Sequence, residues 1–409
     1  GATLRFRTDQ STKLQVGTLL VMPGGTLEIG TESNPLPLQF TAELIIRDRP
    51  LDLTNDGVGV FDPFQFGTSL LAIDGTVTMH GAPKTPTFVR LAKEPKAGDT
   101  TLTLEQNPSG WQAGDRLVLP DSRQLPYAAS NNAQPQWEER TIQSVSGTVI
   151  TLTTPLSFNH IGAKEPDGAV RLLPHVGNLS RNVVIHSENP SGIRGHTWFT
   201  QRTNLDIRYV QFKDLGRTTV APLNNTTFDA SGNITTIGSN QIARYPLHTH
   251  HLTGPMSPQP NGRQFTLVGN AIDGGEGNQV KWGVTIHASH WGLIKDNVVY
   301  NIKGSGMVTE DGTESYNVFE KNFVVRAGSN VPLNSTATAH SELEAGLNTG
   351  FWFRSPNNYI RDNVVANAHY AAYVKGLESL TLAEHFEEEA TEAFGHAKKV
   401  REIIATLDG

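Results

Sequence analysis

The sequence predicts an all-β protein: a right-handed parallel β-helix, or solenoid, with an N-terminal glycine-rich β domain and a short C-terminal helical segment. Three observations carry this. Only 18% of the 409 residues are charged, while glycine is plentiful at 39, a balance that argues against helical bundles, coiled coils and acidic disordered chains. Short apolar runs are punctuated by Gly, Pro and Asp throughout the first half. A loose repeat of 22–25 residues then runs through the second half, which is the signature of a solenoid.

Residues 1–170 read as the glycine-rich β domain. Thr26-Leu27-Glu28-Ile29 and Ser69-Leu70-Leu71-Ala72-Ile73 are short strands bounded by Pro23-Gly24-Gly25, Gly30-Thr31 and Asp74-Gly75. Later strands are expected at Thr100–Leu104, Arg116–Leu119, Thr141–Val145 and Val149–Leu152.

Residues 171–375 carry the repeat. Gly283-Val284-Thr285-Ile286-His287 is echoed 23 residues on by Gly306-Met307-Val308-Thr309-Glu310, and again by Gly350-Phe351-Trp352-Phe353-Arg354. Between these copies fall Asp296-Asn297-Val298-Val299, Lys321-Asn322-Phe323-Val324 and Asp362-Asn363-Val364-Val365, with Ala327–Leu347 as an insertion. Two linked elements recurring in one order favour a β-helix over a sandwich with accidental spacing. Asn at each corner tolerates the left-handed conformation and reaches its neighbour in the next coil. Residues 376–409 differ again. Leu382, Phe386, Ala390, Ala393, Ala397, Val400, Ile404 and Leu407 step by three or four, an amphipathic stripe suited to a helical cap or an appended helix.

The net charge of −7 includes no polybasic cluster, so no nucleic-acid partner is implied. No apolar run reaches the ~18 residues a membrane span needs. The chain opens in polar sequence, and a signal peptide is expected to be absent or already removed. With no Cys, disulfides, thiol catalysis and cysteine-zinc sites are excluded. Walker loops, nucleophile elbows and dinucleotide fingerprints are missing, so no organic cofactor is expected.

The densest chemistry lies at Arg244-Tyr245-Pro246-Leu247-His248-Thr249-His250-His251. On a strand His248 and His250 share a face. His287 and Glu310 hold matching places in the repeat, and coils ~4.8 Å apart bring in-register residues into contact. His248, His250, His287 and Glu310 are thus candidate ligands for a divalent metal such as calcium or zinc. The same four with Asp311 are candidate catalytic residues for acid–base chemistry. The remaining alternative is structural: histidines stacked along the solenoid, with Glu310-Asp311-Gly312 as a turn. His196 is placed to join the same face, Arg244 and Lys281 to line a groove for an anionic ligand, and Trp352 to stack on a sugar. On the terminal helix His385, Glu389, Glu392 and His396 share a face, read as solvated.

Several motifs resemble a known family. Gly25-Thr26-Leu27-Glu28-Ile29-Gly30-Thr31, His80-Gly81, Trp111-Gln112-Ala113-Gly114-Asp115 and His160-Ile161-Gly162 resemble the domain named for its eight glycines. Arg244-Tyr245-Pro246 with His248 and His250, Ile286-His287, Gly306 through Gly312, and Phe351-Trp352 with Pro356-Asn357-Asn358 resemble the β-helix that follows it. That arrangement is the family of the cell-migration-inducing hyaluronan-binding protein and the transmembrane hyaluronidase. The resemblance implies a secreted or cell-surface protein whose partner is a glycosaminoglycan-like polysaccharide. It also implies endo-type depolymerisation, by a glycoside hydrolase or a polysaccharide lyase, with calcium in one member. The absence of Cys departs from the animal members and points to a microbial relative. A non-catalytic glycan- or matrix-binding adhesin, or a surface-assembly subunit, is the alternative, and the sequence gives no oligomeric state.

Overall fold

The computed structural model describes residues 1–51, 54–55, 60–123, 135–328, 349–368 and 370–374. These residues form three parallel sheets of eight strands each, and every strand pairs with the strand one coil away. The chain visits the sheets in turn. The first coil runs through Thr3–Arg5, Thr12–Val16 and Thr18–Val21, and the eighth through Tyr359–Arg361, Val364–Ala368 and Tyr370–Val374. This is the expected β-helix. Alternate side chains point inward and stack by coil. In one sheet Leu205 lies in register with Val77 on one side and Phe265 on the other. In another, Leu247, Val284, Met307 and Phe351 form one column. All join a single buried core. Gly292 shows how tightly these columns fit, because a Cβ there would lie 2.0 Å from the Phe265 ring.

The corners are held by asparagine ladders. Asn297 Nδ2 donates to Asn322 Oδ1 at 2.9 Å, and Asn322 Nδ2 donates to Asn363 Oδ1 at 2.9 Å. A parallel ladder joins Asn317 to Asn358. The left-handed residue at this corner is the one before each Asn: Asp296, Lys321 and Asp362 have φ of 55°, 51° and 55°. Asn therefore supplies the inter-coil bond and its predecessor takes the strained torsion.

The sheets run across the expected boundary at residue 170. Thr26–Ile29 and Thr76–His80 lie in the same sheet as Asn204–Arg208. What interrupts the helix is an excursion between Thr76–His80 and Val183–Ser187. There Phe88–Arg90, His175–Asn178, Arg116–Leu119, Glu138–Ser146, Val149–Leu152 and Thr101–Thr103 form an antiparallel sheet, in that order, over a core of its own. The expected helical segment at 376–409, with His385, Glu389, Glu392 and His396, lies outside the described residues, as does most of the expected insertion.

Candidate functional site

The site lies on the outer face of the third sheet, across the strands Leu247–Leu252, Trp282–His287 and Ser305–Thr309. Because Leu247 and Thr249 share their columns with the core residues Val284 and Ile286, His248 and His250 point outward. His250 pairs directly with His287. Ile286 pairs with Thr309 and accepts the N–H of Glu310 at 3.0 Å, so Glu310 enters the His287 column from the next coil.

The rings converge. His248 and His287 stack with centroids 6.1 Å apart, and His250 meets His287 edge-on at 4.6 Å. His251 closes on His287 at 4.9 Å. Second partners fix the tautomers. His248 Nδ1 lies 3.2 Å from the carbonyl of Ala243, which only accepts, so Nδ1 carries the proton and Nε2 a lone pair. His287 Nε2 donates to Asp311 Oδ2 at 2.9 Å, leaving the lone pair on Nδ1. His287 Nδ1 and Glu310 Oε2 are 3.3 Å apart without hydrogen-bond geometry. His248 Nε2, His287 Nδ1 and Glu310 Oε2 are buried and have no hydrogen-bond partner. These three residues bring their ligand atoms within 4.8 Å of one another, as do His250, His251 and His287. Three orphaned donors of N and O type facing one point suit a divalent cation.

Electrostatics agrees. Burial, reinforced by Asp311 and Glu314, pushes the Glu310 carboxyl up to about 8. Burial, with His250 and His287 adding to it, holds His248 well below its ordinary value. Burial and the neighbouring imidazoles bring His250 down to about 3, and burial lowers His287 as well. Without a bound cation, His248, His250 and His287 are therefore neutral at neutral pH around a protonated Glu310 carboxyl. Tyr245 packs on His248 at 5.1 Å, its hydroxyl also lacks a partner, and burial beside Glu310 raises its pKa.

Of the expected groove residues, three are closed off. Arg244 is buried, donates to the carbonyls of Phe64, Gln65 and Ile242, and lies 4.4 Å over Phe66. His196 is fully buried and receives Arg217 Nη1 on Nδ1 at 2.9 Å. Trp352 is buried against Trp282 at 5.6 Å. The Arg244 guanidinium is thus spent on carbonyls of the wall behind the site, and the His196 imidazole is buried in that wall with Nδ1 taken and Nε2 without a partner. Lys281 is half-buried, 4.9 Å from the Trp282 ring; burial lowers its pKa, and Glu310 opposes that fall only when ionised.

Sequence reasoning missed three participants. Arg354 follows Phe353 in the Glu310 column and donates to the Glu310 carbonyl at 2.8 Å. The third copy of the repeat contained that signal. Glu314 is fully buried and accepts the N–H groups of Ala288, Asp311 and Gly312 at 2.8–2.9 Å, which locks the Asp311 turn to the His287 strand. Nothing in an Asp-Gly turn announces that role. Tyr245 had no signal beyond its neighbours.

The G8 domain family model matches residues 1–92, and the CEMIP beta-helix family model matches residues 224–398, which include the whole histidine cluster. Mouse fibrocystin-L is 30% identical over 405 residues, covering 91% of this chain and 8% of that protein. The cell surface hyaluronidase of Danio rerio is 25% identical over 289 residues, covering 66% of this chain and 20% of that protein. The human cell migration-inducing and hyaluronan-binding protein is 24% identical, covering 67% and 20%. The chain thus spans a fifth or less of these curated relatives. Among solved structures, the gp49 tailspike of Pseudomonas phage LKA1 is similar at a TM-score of 0.28 and 12% identity, covering 86% of this chain and 45% of that one. A likeness that weak carries no argument. Among the described residues no helix is long and apolar enough to cross a membrane. The chain belongs to the family that joins a G8 domain to a CEMIP-type β-helix.

Proposed function

We propose that this chain binds an acidic polysaccharide across the outer face of its third sheet and depolymerises it, as part of a cell-surface or secreted protein. The observation that carries the site is the convergence of three orphaned buried donors, His248 Nε2, His287 Nδ1 and Glu310 Oε2, between adjacent coils. The substrate class comes from the relatives, whose names specify hyaluronan binding and a surface hyaluronidase.

His248, His287 and Glu310 are the residues that would hold a divalent cation. Such an ion, when bound, supplies positive charge and Lewis acidity to a sugar carboxylate or hydroxyl. The remaining work falls to side chains. The Ala243 carbonyl and Asp311 hold two imidazoles in the ligating tautomer. His250 is half-buried and neutral, so its lone-pair nitrogen can accept a hydrogen bond from a water or a sugar hydroxyl at the site. Arg354 and Lys281 offer cations beside Glu310 that favour an acidic sugar. Where no cation is bound, Glu310 retains a proton at neutral pH and can donate it to a glycosidic oxygen.

The test is a panel of hyaluronan, chondroitin sulfate and alginate, with added calcium, zinc or chelator, followed by reducing ends and by the ultraviolet absorbance of unsaturated uronides. We expect new reducing ends that disappear in His250→Ala and His287→Ala. Reducing ends without absorbance would exclude elimination. Binding with no product from any glycan sinks the enzyme and leaves a binding module.

A further inference from the structure

The geometry points to a sugar-stacking subsite, formed by Trp291 and Tyr316, at the corner that follows the histidine strands; this inference rests on the polysaccharide reading above. Trp291 comes four residues after His287, so the two Cα atoms are at most about 14 Å apart. Tyr316 comes six residues after Glu310 on the next coil. The rings stack on each other at 4.5 Å and 25°. They nonetheless remain open, Trp291 at 48% exposure and Tyr316 at 39%.

Neither ring fills the core, and both occupy strained backbone. Trp291 has φ of 60° and Tyr316 of 61°, the left-handed region. A bulky side chain there is uncommon and costs about 1–2 kcal/mol. At the next corner of these coils Asp296 and Lys321 take the same torsion, so the torsion itself does not call for an aromatic. Two aromatics in successive coils, strained and exposed, are better explained by something that lands on them.

A polar ligand fits better than an apolar one. In register, the same column continues to Gln264 on one side and to Asn357 on the other. The platform is therefore flanked by amides at coil spacing, ~4.8 Å. Arg263 reaches the Tyr316 carbonyl at 3.4 Å, and His290 Nδ1 accepts the N–H of Ser315. Open ring faces bordered by amides and a guanidinium match a pyranose, which has an apolar C–H face and a hydroxyl rim. The platform is also rigidly indexed to the cation site. The Glu314 carboxylate ties Ala288, on the Trp291 turn, to Asp311, on the Tyr316 loop. One glycan chain running along the coils can therefore touch both.

The experiment is calorimetric titration with hyaluronan, chondroitin sulfate and alginate of the parent chain and of Trp291→Ala, Tyr316→Ala, Trp291→Phe and Tyr316→Phe. Each alanine variant is expected to bind about tenfold more weakly, the worth of one covered aromatic face. The phenylalanine variants should stay near the parent, and zinc binding and thermal midpoint should not move in any. Unchanged glycan affinity in both alanine variants overturns the platform while leaving the polysaccharide reading intact. An equal loss in the phenylalanine variants also overturns it, since Phe keeps a ring face. A parent that binds none of the three glycans removes both readings.

Discussion

Cation binding at the histidine cluster should expel a proton, and the structure says which one. Without a bound cation, burial beside Asp311 and Glu314 sets the Glu310 carboxyl at about 8, while His248, His250 and His287 are held neutral. Ligation requires the carboxylate. At about pH 7, roughly 0.9 of the Glu310 carboxyl is protonated, so about 0.9 proton should leave per ion bound; at about pH 9 the figure falls to about 0.1. Affinity should therefore rise nearly tenfold per pH unit up to about pH 8 and flatten above it. The imidazoles add no proton of their own over that range. The assay is titration with zinc or calcium in two buffers of different ionisation enthalpy, which separates proton release from intrinsic heat. Glu310→Gln should bind weakly and release almost nothing at any pH. A wild-type affinity that is flat between about pH 6 and 8 would refute the assignment of Oε2 as a ligand, as would an unaltered proton count in the variant.

The same carboxyl sets a stability profile without metal. Its folded pKa is raised, so its contribution is present in acid and is lost as pH rises from the ordinary carboxyl range through about 8. The Glu310→Gln thermal midpoint should be flatter over that window, and an identical slope in both proteins would contradict the burial argument. His248 works in the opposite direction: its pKa is depressed, so its contribution is present above the ordinary imidazole value of 6.5 and declines as pH falls below it. Asp311→Ala removes the acceptor that holds His287 in its ligating tautomer, and should weaken cation affinity about 10–100-fold with little change in melting; a normal affinity would mean that the tautomer is fixed otherwise. Asn297→Ala deletes two bonds given by Nδ2 and one accepted from the Asn270 N–H by Oδ1, and denaturant unfolding should report a loss of about 2–4 kcal/mol. Gly292→Ala forces a Cβ to 2.0 Å from the Phe265 ring and should cost about 1–3 kcal/mol. Adding Phe265→Leu should recover part of it, and no recovery would place the strain elsewhere.

How much of this was legible in the sequence depends on what each feature needs. The column that brings His287 and Glu310 together needs only the repeat length, whereas His250 lies outside that spacing and joins through the observed register. Two copies, ending at His287 and Glu310, stand 23 residues apart, and the sheet pairs Ile286 with Thr309 as that spacing demands. The third copy put Arg354 in the same column, but an arginine after three aromatics reads as packing until the register is taken literally. The first coils were hidden because Thr76–His80 finds its next partner at Asn204–Arg208, beyond an antiparallel excursion. A period of 22–25 residues cannot be seen across such a gap, and the turn-rich excursion makes residues 1–170 look like one β domain.

Burial was hidden for a different reason. Arg244, His196 and Trp352 carry the residue types of a glycan groove, and nothing local distinguishes them from Lys281 or Trp291. What removes Arg244 and His196 from the groove lies far away in sequence. The carbonyls of Phe64 and Gln65 receive Arg244, while those of Gln65, Gly67 and Thr68 receive Arg217, which in turn holds His196. A guanidinium satisfied by carbonyls is only partly offset by the nearby Asp62 carboxylate, and its pKa falls: burial brings Arg217 down to about 9 and Arg244 to about 10. These arginines clamp the Phe64–Thr68 loop against Trp198, whose ring lies 4.5 Å from Phe66 and 4.2 Å from His250. They thereby shape the wall of the site from behind. Substituting Arg244 should accordingly act through the position of His250, lowering turnover more than glycan affinity. A direct ligand to a sugar carboxylate would show the reverse split, with affinity falling first.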